Sequence, residues 1–437
     1  MFKYLKKAES LGATFTDIRF ERNKTRTIEI SSNGKSSTTY ITDEGYMIRT
    51  IVNRNLGVKA TNKIDESEIE DAIRSTIGDE RINIVYLPSK HATVRIGKDF
   101  NKSIEEQFYD LEKIANSIRD LHTSIRAFTI KYFEKKYHKE YYSTEDREII
   151  TDGNLSGLYI NTIAREGEVI VKISDSLSTH LGYVLDVFNI NEFLERLRNR
   201  IINQLKGKEV KNGEYDVILA PQVVGDLVNK MGLLAKADSA VNNELYKFRG
   251  KRIAPEFVNI IDSPTLDNPK AIGYLLYDDE GVEGRQTKII ENGKLKDFIT
   301  DRYYSAYLGQ SPTGNARAQS FRDLPSIITR NIYLQPGDKK LEELFEGIKE
   351  GYYLVSSINE ETSDERFQFK IQEGYRIENG EIKEPIRDVK ITGNVIETIG
   401  KIDMISKEFD LYEKYNMEVS YGGPFVRIFK VKMGSLI

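Results

Sequence analysis

Two short runs of the sequence contain side chains whose types suggest chemistry. Asp278, Asp279 and Glu280 follow one another before a glycine, and carboxylate oxygens are the ligands that magnesium, calcium and manganese prefer. Asn315 and Arg317 lie in a nearby turn, SPTGNARAQS. Consecutive residues of a strand point to opposite faces, so the three carboxylates do not easily converge. A polar turn at the end of a strand and a hydrolytic carboxylate centre completed by Arg317 both remain open.

Histidine and cysteine, the usual zinc ligands, are scarce. The chain has no cysteine, which excludes thiolate zinc sites, iron–sulfur clusters, disulfides and cysteine nucleophiles. Its histidines are His91, His122, His138 and His180, and none has another within five residues. A zinc site on a helix needs two imidazoles on one face, so each histidine is interpreted as a solvated or packed side chain. A Ser–His–Asp site stays open because such residues converge from distant positions, although no G-x-S-x-G motif is present.

Nucleotide and nucleic-acid binding have little support. Gly34, Lys35 and Ser36 imitate the end of a phosphate-binding loop, but the glycine required five residues earlier is Glu29. No G-x-G-x-x-G follows a predicted strand. Lys+Arg 64 against Asp+Glu 68 gives a net charge of -4 with no basic patch, which disfavours a nucleic-acid surface. The N-terminus lacks the apolar stretch of a signal peptide and no run is long enough to span a membrane, so a cytoplasmic protein is expected.

The elements that must position these residues indicate an α+β protein. With 437 residues, 39% of them hydrophobic, the chain is long enough for two or three domains. Strands at 16–32 and 35–42 are predicted to pair across Asn33 and Gly34, a dipeptide typical of hairpin turns. An N-terminal α+β unit spans 1–85, and the polar stretch that starts at Pro88 is predicted to be a linker as far as Asp99.

Two further units complete the predicted architecture. Residues 100–208 form an antiparallel meander with helices, which begin at a capping box of Ser103 and Glu106. Residues 212–437 form a large β-rich domain with flanking helices, one of which follows the apolar strand YDVILAP. Strands mostly follow strands without regular helical crossovers, which favours α+β over a doubly wound fold.

The order of the C-terminal segments resembles the TldD/PmbA family of metallopeptidase-related proteins. The matching segments include YDVILAPQVVGDLV, Ala-Asp-Ser at 237–239, IIDSPT, YDDEGVEGRQTKIIENGKLKDFITDRYYSAYLG, TGNAR, NIYLQPGD and GGPFVRI. GATFTDIRF and GYMIRTIVNRNLGVKAT in the first unit also look like this family. The resemblance covers nearly the whole chain, and it implies the corresponding α+β fold.

The resemblance also implies where a zinc site would lie. Catalytic members carry H-E-x-x-x-H on the helix after the DVILAP-like strand and a cysteine near the C-terminus, with the glutamate as general base on metal-bound water. Aligned on the Ala-Asp-Ser segment, Val228 and Leu233 occupy the two histidine positions and Asn229 the glutamate position. None of the three can bind zinc or take a proton. No histidine follows His180, so a shifted alignment supplies no imidazole pair either.

The absent ligands favour a particular role within the resembled family. The chain is similar to the TldE (PmbA) type, a pseudoenzyme subunit that forms a heterodimer with a zinc-bearing TldD-type paralogue and admits unfolded peptides. We therefore expect no catalytic residue and no metal in this chain, and zinc in the partner. Asp279, Glu280, Asn315 and Arg317 lie in the best-matching turns and are candidates to line a peptide cavity. The alternatives are the carboxylate hydrolase and a homodimeric, non-enzymatic peptide-binding scaffold.

Overall fold

The computed structural model describes residues 1–76, 81–360, 365–414 and 418–435. In these ranges the strands form two large sheets, of seven and eleven strands, and a short two-stranded ribbon. Helices pack on both large sheets, so the predicted α+β class is confirmed. No helix within the described ranges is long and apolar enough to cross a membrane.

The first sheet has the order β3-β2-β1-β5-β6-β4, with β7 paired to the remaining part of β6. Its strands are β1 (Phe15–Ser31), β2 (Ser36–Val52), β3 (Asn55–Thr61), β4 (Lys90–Ile96), β5 (Ile125–Ser143), β6 (Arg147–Glu166) and β7 (Val169–Thr179). The predicted hairpin is confirmed, since β1 and β2 pair antiparallel and Gly34 has a φ of +80° in the turn. Because β1 also pairs with β5, strands from residues 1–85 and 100–208 share one sheet.

The predicted linker from Pro88 to Asp99 is wrong for most of its length. Residues 90–96 form β4, which pairs in parallel with the first part of β6. Side chains on β4 alternate between exposed and half-buried, so the strand presents little apolar surface. Its pairing partner lies more than fifty residues away, and nothing in the local pattern announces it.

Helices cover one side of the first sheet and connect it to the second. They are α1 (Phe2–Ser10), α2 (Glu66–Arg74), α3 (Ile104–Leu121), α4 (Val184–Val187) and α5 (Ile190–Lys206). The predicted capping box is confirmed at α3, where Ser103 accepts from the backbone N–H of Glu106 and the Glu106 carboxylate accepts from that of Ser103. Leu111, Leu197 and Tyr132 belong to the core that α3 and α5 share with the sheet. Helix α5 also packs against the second sheet.

The second sheet has the order β11-β10-β9-β14-β20-β18-β16-β15-β8, with β17 paired to β16 and β19 paired to β20. Its strands are β8 (Gly213–Leu219), β9 (Ile260–Ser263), β10 (Thr287–Glu291), β11 (Lys294–Leu295), β14 (Asn331–Leu334), β15 (Glu350–Glu360), β16 (Arg366–Glu378), β17 (Glu381–Pro385), β18 (Val389–Asn394), β19 (Ile402–Lys414) and β20 (Val419–Ser435). The ribbon is β12 (Ala316–Arg317) and β13 (Ser326–Ile327).

The longest helix on the second sheet is α6, which follows the apolar strand β8. The helices of this part are α6 (Pro221–Leu234), α7 (Ala237–Asn242), α8 (Arg302–Leu308), α9 (Leu341–Phe345) and α10 (Val395–Gly400). Helix α6 lies close against β20 and β14. A Cβ added at Gly225 would lie 2.5 Å from the ring of Tyr421, and one at Gly232 would lie 2.3 Å from Ile332. The two glycines therefore let α6 approach the sheet closely, and this contact determines which side of the helix packs on the sheet.

Candidate functional site

Helix α6 carries the three positions at which the resemblance places zinc chemistry. Val228 is 2% exposed and belongs to the hydrophobic core of the second sheet. Asn229 is buried, and its Oδ1 accepts a hydrogen bond from Thr329 Oγ1 at 3.2 Å. Leu233 is 39% exposed. Two aliphatic side chains and an amide that already has a partner do not fit zinc, which needs imidazole, thiolate or carboxylate donors.

The histidines contact local partners instead of one another. His180 is buried between two backbone carbonyls, those of Asn154 at 2.6 Å and Ile272 at 3.1 Å, and burial lowers the pKa of its imidazole. His138 contacts two carboxylates of its own sheet. His180 is thus a packed side chain, and His138 is a partly exposed one whose imidazole contacts carboxylates. Across the described ranges, no group of three or more histidine, aspartate and glutamate side chains is arranged to hold a metal ion.

The acidic run at the end of YLLYDDE is buried between the two sheets. Asp278 turns inward on its own loop: its carboxylate accepts backbone N–H groups of Glu280 at 2.9 Å, Val282 at 2.9 Å and Ala316 at 3.0 Å. These bonds hold the turn against the ribbon β12–β13. Asp278 is therefore a turn residue rather than a metal ligand.

The next two carboxylates dock the second sheet onto the first. Asp279 lies 2.9 Å from Lys139 Nζ on β5, and Glu280 forms an ion pair with Arg49 on β2. Although burial alone would raise it, Lys139 and Arg19 hold the pKa of Asp279 below its ordinary value. Against the same effect, Arg49 and Arg302 lower the pKa of Glu280. Each carboxylate has its own cation from another element, which leaves neither available to a shared metal ion.

Asn315 and Arg317 are also held by protein groups. Asn315 is fully buried and donates to Asp262 at 3.0 Å and to the carbonyl of Ile328 at 2.8 Å. Arg317 forms an ion pair of 2.6 Å with Glu418 at the start of β20. These contacts stay within the C-terminal part, whereas Asp279 and Glu280 form a polar interface with the first sheet.

A cavity of about 390 Å³ lies beside α6, and strands of both sheets contribute to its lining. Edge strand β7 forms one wall over five consecutive residues, 174–178. The complete lining is Tyr159, Ser174, Asp175, Ser176, Leu177, Ser178, Arg196, Gln222, Asp226, Lys270, Ser357, Ile358, Gln372, Leu411, Tyr412, Glu413 and Tyr421. None of Asp279, Glu280, Asn315 and Arg317 is in this lining.

Helix α6 presents its polar face to this cavity. Gln222 and Asp226 are four residues apart, which places them on one side of the helix, and both line the cavity. Asp226 Oδ2 accepts a hydrogen bond of 2.6 Å from Ser357 Oγ on β15. A more open hollow of about 650 Å³ elsewhere is lined by residues 122–124, Arg126, residues 165–167 and Lys206, none of them on α6. The cavity beside α6 is therefore the better candidate site.

The charged groups of the cavity are mostly paired. Asp175 lies 3.0 Å from Arg200 Nη1, and Lys270 Nζ lies 2.6 Å from Asp410. Glu413 differs, since both of its carboxylate oxygens are shielded from solvent and their neighbours include the hydroxyls of Ser176 and Ser178. Burial, aided by the charge of Asp175, raises the pKa of Glu413 to about 7.

Sequence reasoning missed Asp175, Asp226 and Glu413. They come from β7, α6 and β19, which are distant in sequence and meet only in the folded chain. Asp226 alone had a local signal, because it lies on the helix that the resemblance had already singled out. The candidate residues of the turns were instead bound at the interface.

Comparison with protein families decides the identity of the fold. Residues 212–435 match the PmbA/TldA metallopeptidase C-terminal domain, and residues 97–209 match the central domain of the same proteins. The chain belongs to the TldD/PmbA family. A zinc metalloprotease TldD homolog from Saccharolobus solfataricus is 56% identical over 100% of both chains. A metalloprotease from Methanothermobacter thermautotrophicus is 32% identical over 70% of this chain and 69% of its own length.

A solved structure shares the fold of this TldD/PmbA member. TldE from Thermococcus kodakarensis superimposes with a TM-score of 0.80, over 100% of both chains at 20% sequence identity. At that identity the likeness concerns the fold alone. Within the family fold, this chain places Val228, Asn229 and Leu233 on the helix beside the cavity.

Proposed function

We propose that this TldD/PmbA protein is the non-catalytic, TldE-like subunit of a heterodimeric zinc metallopeptidase that acts on unfolded peptides in proteolysis or peptide maturation. The observation that carries the proposal is the composition of α6. The helix keeps its place beside a cavity, yet it offers Val228, Asn229 and Leu233 at the positions of the zinc ligands and the base. The zinc would belong to a TldD-type paralogue.

The cavity beside α6 supports a role in peptide binding. Within the described ranges β7 pairs with β6 alone, and its residues 174–178 line the cavity, so we propose that an extended peptide pairs with main-chain groups along its other edge. The lining also contains serine hydroxyls and glutamine amides, which can form hydrogen bonds with the backbone of a bound peptide. We infer that an extended segment of substrate adds along β7 while the partner's zinc centre cleaves it.

The ion pairs between the two sheets are consistent with a subunit that provides a rigid framework for the cavity. Asp279 and Glu280 bind cations of the first sheet, and Arg317 binds Glu418 from the second. The pairs of Asp279 and Glu280 join the two sheets, and residues of β7 and of α6 both line the cavity. A subunit without a zinc site can in this way still provide half of a substrate chamber.

Co-purification tests the proposal. The chain is produced alone and together with a paralogue from the same organism that carries H-E-x-x-x-H, and complex mass and cleavage of an unfolded peptide are measured. A stable heterodimer whose activity exceeds that of the paralogue alone is expected. If no complex forms and the paralogue's activity is unchanged, the proposal is wrong. A homodimer that binds peptide without cleavage would instead favour the scaffold.

A further inference from the structure

One stretch of the first sheet has an edge without a neighbouring strand. Strand β2 pairs with β1 as far as Ser36, whereas β3 pairs only with its other end, residues 46–52. Residues 36–43, which we call the free edge, therefore pair with β1 alone within the described ranges. Tyr40 is 67% exposed and Ile41 57%. Because neighbouring residues of a strand point to opposite faces, the free edge carries exposed side chains on both faces.

The free edge lacks the features that protect other sheet edges from pairing. Lysine, proline and β-bulges are common protective features of edge strands. In the described part of the chain, the other edge strands of the two large sheets each contain a lysine: Lys59, Lys90, Lys172, Lys294, Lys383 and Lys407. The free edge reads SSTTYITD, with neither lysine nor proline, and its register with β1 has no bulge. Such a strand is suited to pair with another chain.

The backbone directions show which main-chain groups of the free edge are available. In an antiparallel sheet, alternate residues direct their N–H and C=O groups to the strand on one side and to the strand on the other. The C=O of Ile51 accepts from Thr14 just before β1, so the odd-numbered residues of β2 face β1. Asn62 donates to the C=O of Glu44 from the side of β3, as expected for an even-numbered residue. The residues of the free edge whose main-chain groups point outward are therefore 36, 38, 40 and 42.

We propose that a second copy of this chain binds the free edge as an antiparallel strand, with Thr39 of one copy opposite Thr39 of the other. A two-fold axis perpendicular to the sheet then relates the two copies, the commonest symmetry of protein dimers. All four outward-facing residues of each strand are paired in this register, which gives about eight main-chain hydrogen bonds. The seven-stranded sheet of one copy continues into that of the other.

The charges at the two ends of the free edge favour a second copy as its partner. In the Thr39 register, Lys35 lies opposite Asp43 of the other copy, and the pair occurs twice by symmetry. Lys35 is exposed and forms no ion pair with any residue in the described ranges. Asp43 contacts Arg322, yet its side chain stays 32% exposed. Opposite charges that face each other across two strands stabilise the pairing.

A register shifted by two residues fits less well. With Tyr40 opposite Tyr40, Ser36 would pair with Glu44. The C=O of Glu44 already accepts from Asn62, and Lys35 would lie opposite a glycine. That arrangement loses main-chain hydrogen bonds and both charge pairs.

Sedimentation of the full chain over a range of concentrations tests the proposal. The unmodified chain is expected to form a dimer. Thr38→Pro removes an outward-facing N–H and leaves the pairing with β1 intact, so it is expected to weaken dimerisation by about tenfold or more. Thr38→Val keeps that N–H and is the matched control, which should dimerise like the unmodified chain. Melting temperatures establish that both variants fold.

Exchange of the end charges tests the register. Lys35→Asp places like charges opposite each other at both ends, so it is expected to weaken dimerisation by about threefold or more. Adding Asp43→Lys to the same chain restores opposite charges and should recover most of the affinity. These exposed substitutions leave the pairing of β2 with β1 unchanged.

Two results would overturn the dimer: a monomer at every concentration, or a dimer that Thr38→Pro leaves unchanged. A dimer that is weakened by Thr38→Pro but indifferent to both charge variants would overturn the Thr39 register. The proposed function is tested separately, because no residue of the free edge lines the cavity beside α6. Failure to assemble with the paralogue would contradict the proposed function alone.

Discussion

Asp301 shows how burial changes the behaviour of a single carboxyl group. It is the N-cap of α8, where it accepts the backbone N–H of Tyr304 at 2.7 Å. Burial, together with the nearby charge of Glu280, raises its pKa to about 7. Because the folded pKa lies above the unfolded value, the folded state is favoured while the group is protonated. That advantage is lost as pH rises from about 4 to about 7.

Asp301→Asn should therefore stabilise the protein at high pH. Asparagine keeps the N-cap but removes the buried charge, so the gain should be on the order of 1–3 kcal/mol at pH 8 and close to zero near pH 4. Thermal unfolding across this pH range measures it. Asp65→Asn is the control: Asp65 caps α2 at the surface, and the hydroxyl of Ser67 lowers its pKa. Relative to the unmodified protein, the Asp65→Asn control should become less stable as pH rises. A stability change of the same sign in both variants would contradict the account.

Arg49 joins the first sheet to the C-terminal part by a buried ion pair. It forms ion pairs with Asp17 on β1 and with Glu280, which lies in the segment between β9 and β10. All three side chains are largely buried. Arg49→Ala leaves two buried carboxylates without their cation, a change that costs about 3–5 kcal/mol. Chemical unfolding should show this loss, whereas Lys59→Ala, which breaks partly exposed pairs, should change stability little. Similar effects for both would show that the interface is not held by charge.

At the scale of elements, local signals in the sequence were sufficient for some features. The turn at Asn33 and Gly34 and the capping box at Ser103 depend on neighbouring residues, and both are present in the structure. Strand β4 was missed because its pairing with β6 is non-local. The fold class followed from the order of strands and helices, which pattern and resemblance both supply.

The candidate site was only partly predictable, for a physical reason. The helix with Val228 and Asn229 was located from the sequence, since it is one continuous segment beside a recognisable strand. The role of Asp279 depends on Lys139, which is 140 residues away, so no local pattern distinguishes a structural ion pair from a site residue. Glu413 is similar, because its neighbours Ser176 and Ser178 lie on β7, far away in the sequence.

Strand β7 is the element whose edge the proposed function requires. Ser176→Trp should fill the cavity at this edge and lower peptide cleavage by the complex by about tenfold or more, because the substrate would be displaced from the reacting geometry. Complex formation should be unchanged. The control is Ile170→Trp, at a position on β7 that is 57% exposed and outside the cavity lining. Steady-state cleavage by both variants decides whether the edge is used, and equal activity would mean that it is not.

At the scale of the whole molecule, two sheets enclose a cavity that a zinc-free helix lines. The ion pairs of Asp279 and Glu280 join the two sheets, and α6 and β7 both contribute to the lining of the cavity. In the proposed role, this arrangement would provide a binding surface and leave the cleavage chemistry to a second subunit. Family membership alone does not separate a catalytic from a supporting subunit, so the distinction depends on what α6 carries.

Titration of a zinc-bearing paralogue with this chain, combined with metal analysis, tests that distinction most directly. We expect cleavage of an unfolded peptide to rise with added chain and to saturate at equal amounts of the two proteins. We also expect all the zinc to be in the paralogue, with none bound by this chain alone. Zinc-dependent cleavage by this chain in isolation, or a paralogue whose activity does not respond to it, would contradict the account.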